Sequence, residues 1–159
     1  MSRLPSLGPR GEGWLLLQLL LLLAIAGTAM ALPMQVDGST EKIARVVGFV
    51  GLVGGLITFG LGVVTLGGSL SPLPKPLASA ELVDRGIYRF IRHPIYTGLV
   101  LAALGGSIYA VSPVALVFTL ALAVVLDLKA RREEIWLREH YPGYAAYSER
   151  TKKFIPLVY

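Results

Sequence analysis

The chain has no cysteine, and that single absence removes disulfides, thiolate zinc sites and a cysteine nucleophile together. Histidine is nearly as scarce: His93 and His140 are the only two in 159 residues. They are too few and too far apart for an obvious metal cluster, so no metal is expected. Charge is sparse too, at 16% of residues, well below the share in an ordinary soluble domain. What fills the chain instead is apolar. Hydrophobic residues make up 54%, mean hydropathy is +0.65, and the apolar residues collect in runs rather than at helical or strand period. Runs of about 18 or more such residues are long enough to cross a bilayer, so the chain reads as an integral membrane protein. The net charge of +5 sits in residues that flank the runs. Positive loops on the cytoplasmic side explain that better than nucleic acid, and no nucleic-acid partner is expected.

Residues Met1 to Gly13 form a short tail carrying Arg3 and Arg10. The first run, Trp14 to Leu32, spans; the rival reading is a signal peptide ending at the small residues Ala29-Met30-Ala31. The run is longer than a typical signal core and more spans follow, which favours a retained helix. A polar loop, Pro33 to Ala44, has Asp37-Gly38-Ser39 as its turn signal. The second run, from about Arg45 to Leu70, holds Gly51 and Gly55 one helical turn apart, the spacing of close helix packing. Ser71 to Pro76 stops that helix in a stiff connector, and Glu81 to Arg89 is a mixed-charge interfacial segment. The third run, Pro94 to Val111, and the fourth, Pro113 to Leu126, are separated only by Ser112 and form a helical hairpin. After Asp127 the chain turns polar and is expected to leave the membrane and lie on its surface. Tyr141-Pro142-Gly143-Tyr144 breaks that helix, and Tyr147 to Tyr159 is a basic, aromatic tail.

The expected fold is therefore all-α: a polytopic membrane protein of about four spans, with residues 1–70 as two N-terminal membrane helices and 71–159 as the region bearing the chemistry. Most Lys and Arg fall on one side if both termini are cytoplasmic, leaving Lys42 and Arg45 near the other. The lipid bilayer is the first partner implied.

The chain is organised around Arg92-His93-Pro94-Ile95-Tyr96-Thr97-Gly98. Pro94 is suited to the first position of a helix, so His93 reads as its cap, with free N–H groups and the positive helix end nearby. A second polar cluster, Arg131, Arg132, Glu133 and Glu134, follows the hairpin. Because a hairpin brings its ends together, the two clusters, some forty positions apart, are expected to face one another. Ionisable groups at a membrane boundary point to function, although boundary Arg, Tyr and Trp also anchor helices. Glu134 and Arg138 have the spacing of a helix-surface ion pair.

Together, Arg92-His93-Pro94-x-Tyr96-x-Gly98, Glu133-Glu134-x-x-Leu137, Tyr144-x-x-Tyr147 and Phe154-Ile155-Pro156 resemble the isoprenylcysteine carboxyl methyltransferase family, whose relatives include the phospholipid N-methyltransferases. The resemblance runs from Gly67 to Tyr159. It departs from the family where Tyr141-Pro142-Gly143 replaces the usual Phe-Gly. The resemblance implies a membrane methyltransferase that uses S-adenosyl-L-methionine, held on the cytosolic side by the last helices and the tail. By matched position His93, Pro94, Tyr96 and Gly98 would line one wall of the cofactor pocket, and Glu133 and Glu134 the other. Catalytic candidates are His93 and Arg132. A lipophilic or small carboxylate, thiol or amine would accept the methyl group, its apolar part arriving from the bilayer.

Two other readings stay open. Membrane sterol reductases share an Arg-His-Pro-x-Tyr run and use NADPH, but usually carry an acidic residue where this chain has Leu99. A non-catalytic helical protein, with its charged ends serving as anchors, is the other. The acceptor and the oligomeric state are not legible in the residues.

Overall fold

The computed structural model describes residues 5–76 and 80–156, and is all-helical over them. Arg3 of the expected N-terminal tail and residues 157–159 of the expected C-terminal tail lie outside the described residues. The elements are α1 (Glu12–Ala31), α2 (Gly38–Leu66), α3 (Pro94–Tyr109), α4 (Pro113–His140) and a short α5 (Tyr144–Arg150). Single 3₁₀ turns occupy Gly67–Ser69 and Gly86–Arg89. Among the described residues, three helices are long and apolar enough to cross a membrane: α1, α2 with its trailing turn, and α4. The expected third span is the apolar α3, whose 16 residues reach about 24 Å, short of a hydrocarbon core of about 30 Å.

One boundary differs from expectation. The second helix begins at Gly38 rather than near Arg45, because Asp37 is an N-cap: its Oδ1 accepts from the backbone N–H groups of Ser39 and Thr40, each at 3.0 Å. The turn signal was a helix start. The fourth run and the charged segment expected on the membrane surface are one continuous helix: α4 runs through the charged residues to His140, where the expected break at Tyr141 falls, reaching about 42 Å. Glycine and proline are absent between Asp127 and His140, and Ala, Leu, Lys, Arg and Glu are all good helix formers.

Helices α2 and α3 approach backbone to backbone. A methyl group at Gly48, Gly55, Gly98 or Gly105 would overlap main-chain atoms of the facing helix, so the close approach requires glycine there. On the other side, α1 lies along α4, where Ile25, Ala115, Leu122 and Leu126 form the buried core. At one end Ser112, the α4 cap, donates to the carbonyls of Thr28 and Leu32 at 3.1 and 3.0 Å. At the opposite end the N-terminus of α1 meets the connector, with Lys75 N–H on the Arg10 carbonyl at 3.4 Å. The start of α3, the charged half of α4 and the returning tail gather at that same end.

Candidate functional site

Pro94 opens α3 and His93 holds the cap position, but the imidazole does not cap. Its backbone carbonyl accepts from the Thr97 N–H at 3.0 Å, and the ring turns toward α4 instead. The tail fixes this loop from behind. Arg92 N–H and His93 N–H donate to the Lys152 and Lys153 carbonyls at 2.8 and 3.1 Å, and the Thr97 hydroxyl donates to the Phe154 carbonyl at 3.0 Å.

The two glutamates of α4 follow one another and so project in different directions around the helix. Glu134 turns to the loop. Its Oε1 accepts from Arg92 Nε at 2.9 Å and lies 3.3 Å from His93 Nε2. A carboxylate only accepts, so this contact places a proton on Nε2. The Arg92 guanidinium continues to the carbonyls of Ser148 and Thr151, at 2.9 and 2.6 Å, tying α4 to the end of α5. Glu133 takes the other direction. Its Oε2 accepts from the Tyr96 hydroxyl at 2.7 Å and lies 3.8 Å from His93 Nδ1. The rings of His93 and Tyr96 are stacked, 5.3 Å between centroids and 3° from parallel.

These side chains border a cavity of about 420 Å³, within the range of small-ligand pockets. Tyr88, Tyr96, Tyr141, Tyr144 and Tyr147 bring five phenol rings to its wall, and Arg92, His93, Glu133, Glu81, Lys129, Gln18, Ser69 and Ser71 bring its polar groups. Phe59 and Val63 of α2, Leu15 of α1 and Leu99 of α3 supply an apolar side. The cavity thus draws on both sides of the expected division at residue 70. Tyr147 donates to the Tyr88 carbonyl at 2.8 Å and Tyr141 to the Ala80 carbonyl at 2.8 Å. Tyr144 is different: it is 1% exposed, and its hydroxyl has no hydrogen-bond partner among the described residues. Burial pushes the phenols of Tyr88, Tyr144 and Tyr147 well above their ordinary value.

The structure therefore brings the two expected clusters together, though not every member reaches the cavity. His93, Tyr96 and Glu133 line it. Glu134 sits behind, held by Arg92 and His93, so the expected surface pair with Arg138 does not form. Pro94 starts the helix and Gly98 meets the α2 backbone at Phe59. Arg132 lies over the Trp136 ring, 4.3 Å from its centroid, away from the cavity wall, and Arg131 pairs with Asp127 at 2.7 Å. Among the described residues no group of three or more His, Asp or Glu side chains is placed to hold a metal ion.

Sequence reasoning passed over Lys129 and Gln18. Lys129 stands one helical turn before Glu133, on the same face of α4. Gln18 interrupts the otherwise apolar run of α1 between Trp14 and Thr28. Both signals were readable. The convergence of Tyr88 with Tyr144 and Tyr147 had none, because it depends on the path of the tail.

The sequence model of one family, described as phospholipid methyltransferase, matches residues 43–143. A probable protein-S-isoprenylcysteine O-methyltransferase of Oryza sativa subsp. indica is 29% identical over 116 residues, 70% of this chain and 61% of the relative. A protein-S-isoprenylcysteine O-methyltransferase of Saccharomyces cerevisiae is 29% identical over 121 residues, 74% of this chain and 51% of that protein. A cobalt-zinc-cadmium resistance protein of Cupriavidus metallidurans is 36% identical over 76 residues, covering 47% of this chain and 35% of the relative. The matched length falls below two thirds of each of these relatives.

Proposed function

The chain belongs to the phospholipid methyltransferase family, and on that premise we propose that its cavity binds S-adenosylmethionine for methyl transfer to a lipophilic acceptor. The observation that carries this reading is the joint lining of one cavity by His93, Tyr96, Glu133 and Tyr144, whose buried hydroxyl has no partner among the described residues. A buried hydroxyl without a partner is costly, and a ligand atom would satisfy it.

The residues suit the group. When bound, S-adenosylmethionine supplies a methyl on a sulfonium, which a nucleophile takes as the sulfonium becomes a neutral thioether. Glu133 accepts from an ammonium or from ribose hydroxyls, with its second oxygen kept in place by Tyr96. The tyrosine faces stabilise a cation by about 0.5–2 kcal/mol each. Of the two His93 ring nitrogens, Nε2 is engaged by Glu134, and Nδ1 is the one left to serve an acceptor that must lose a proton. Arg92 and Glu134 act through His93 and the tail as positioning residues. The apolar wall from α1, α2 and α3 receives the acceptor's lipophilic part from the bilayer, and aligned, dry reactants are most of what such a displacement needs. With Lys42 and Arg45 at the far end, and Arg10, Lys75, Arg89, Arg92 and Lys129 among the basic residues at the cavity end, the cavity end would face the cytoplasm.

Titration calorimetry of the detergent-purified protein with S-adenosylhomocysteine, run beside NADPH, tests the reading. Binding of S-adenosylhomocysteine alone is expected. Binding of NADPH alone would overturn it in favour of a reductase, and binding of neither by a folded sample would remove the enzyme reading.

A further inference from the structure

Lys129 is 1% exposed and sits in the wall of the same cavity, on the side toward α1. Its ammonium donates to Gln18 Oε1 at 2.7 Å and to the Pro72 carbonyl at 3.2 Å, and lies 5.1 Å from the centroid of the Tyr96 ring. Both hydrogen-bond partners are neutral, and among the described residues no carboxylate pairs with it. Buried charges are normally matched by an opposite charge, because removing an ion from water costs several kcal/mol, roughly, when it is not. An ammonium also has three N–H donors, and two are used. One donor is left at the cavity wall, where Glu133, one turn along α4, acts on the ammonium at longer range without pairing with it.

The surroundings favour a ligand over a structural staple. Gln18 is itself buried, at 9% exposure, and spends its carbonyl oxygen on Lys129. A glutamate there would pair with the lysine; a glutamine orients it without supplying an opposite charge. The opposite pattern holds on the other side of Tyr96, where Glu133 stands one turn along α4 as an anion suited to cationic groups. The carboxylates of Glu133 and Glu81 and the ammonium of Lys129 share the cavity wall, with the ammonium on the side toward α1.

We propose that Lys129, oriented by Gln18 and the Pro72 carbonyl, binds the anionic head group of the acceptor, and so selects a lipophilic carboxylate or phosphate over a neutral or amine-bearing molecule. This rests on the methyl-transfer reading, and narrows the class of acceptor within it. Gln18 lies in α1, outside the family-matched residues, so this preference belongs to the chain's own first helix. Lys129 contacts the acceptor; Gln18 is a positioning residue.

The test is calorimetry in a neutral detergent with oleate, methyl oleate and dodecyl phosphate, and separately with S-adenosylhomocysteine. The wild-type protein is expected to bind oleate or dodecyl phosphate at least 10-fold more tightly than methyl oleate. Preference for oleate identifies a carboxylate acceptor, and preference for dodecyl phosphate a phosphate-bearing one. Lys129→Gln is expected to reduce the preference below 2-fold, and Lys129→Arg to keep it. Gln18→Glu places a carboxylate on the ammonium and is expected to abolish the preference as well, so the test stands even if Lys129→Gln does not fold. S-adenosylhomocysteine affinity should stay within 3-fold in all three variants. Equal binding of oleate and its ester by the wild type would overturn the proposal, as would a 10-fold loss of S-adenosylhomocysteine affinity in Lys129→Gln with the preference intact. Selective oleate binding by a protein that ignores S-adenosylhomocysteine would sink the methyltransferase reading instead, and with it the acceptor assignment.

Discussion

The hydroxyl of Tyr96 donates to Oε2 of Glu133 at 2.7 Å, joining the first turn of α3 to the charged half of α4 across the cavity. The same ring stacks on His93 and faces the Lys129 ammonium. The ring and the hydroxyl therefore do separable work. Tyr96→Phe is expected to lower S-adenosylhomocysteine affinity about 10- to 100-fold, the worth of a hydrogen bond to a charged group at about 1.5–3 kcal/mol. Tyr96→Ala should lose at least another 10-fold. Equal losses in the two variants would assign the whole effect to the hydroxyl.

Arg92 holds together three segments distant in sequence: Glu134 of α4, and the carbonyls of Ser148 and Thr151. Both charged side chains are largely enclosed, at 12% and 13% exposure. Removing the guanidinium leaves Glu134 partly uncompensated, so Arg92→Ala should destabilise by roughly 3–5 kcal/mol. Arg92→Lys should not restore it, since one ammonium cannot reproduce the spread donors of a guanidinium. Thermal unfolding in detergent measures both. A loss under about 1 kcal/mol in Arg92→Ala would mean that water replaces the guanidinium, and that the tail is not fixed by it.

The α2–α3 seam makes a contrast within one helix. A methyl group at Gly55 meets the α3 backbone at Ala102, whereas at Gly60 nothing lies within 4 Å. Gly55→Ala is expected to cost about 1–3 kcal/mol through overpacking, and Gly60→Ala to gain up to about 1 kcal/mol from helix propensity. Similar melting shifts for the two would contradict a glycine-dependent seam.

The buried phenols set an alkaline limit. Tyr88, Tyr144 and Tyr147 have folded-state values raised by burial above the unfolded value of about 10. Above that pH the unfolded chain binds fewer protons than the folded one. The stability they contribute is therefore whole below about pH 10 and is lost as pH rises further. Melting temperature should be insensitive to these groups at neutral pH and fall above about pH 10. Tyr144→Phe removes an unpartnered hydroxyl, so it should leave neutral-pH stability unchanged or improved and flatten the alkaline fall. An undiminished alkaline fall in this variant would contradict a buried, protonated Tyr144.

Much of this arrangement was legible in the residues. Blocky hydropathy identified the membrane helices, Pro94 marked the start of α3, and the hairpin predicted that His93 and Tyr96 would meet Glu133 and Glu134. What was not legible depended on direction around a helix. Adjacent glutamates look equivalent in a motif, yet the turn of α4 sends Glu133 into the cavity and Glu134 back to Arg92. Asp37 misled for a local reason: Asp-Gly-Ser signals a turn and also caps a helix, and only the hydrogen bonds to Ser39 and Thr40 decide. The charges of α4 mark where the helix meets polar surroundings, and Tyr141-Pro142-Gly143 marked where it ends.

The measurement closest to the central claim is S-adenosylhomocysteine affinity in Glu133→Gln set beside Arg138→Gln, an exposed residue on the same helix. Glu133→Gln keeps the size and removes the charge at the cavity wall. A loss of 10-fold or more in Glu133→Gln, with Arg138→Gln equal to wild type and both proteins melting normally, is the predicted result. Unchanged affinity in Glu133→Gln would contradict the placement of the methyl donor in this cavity.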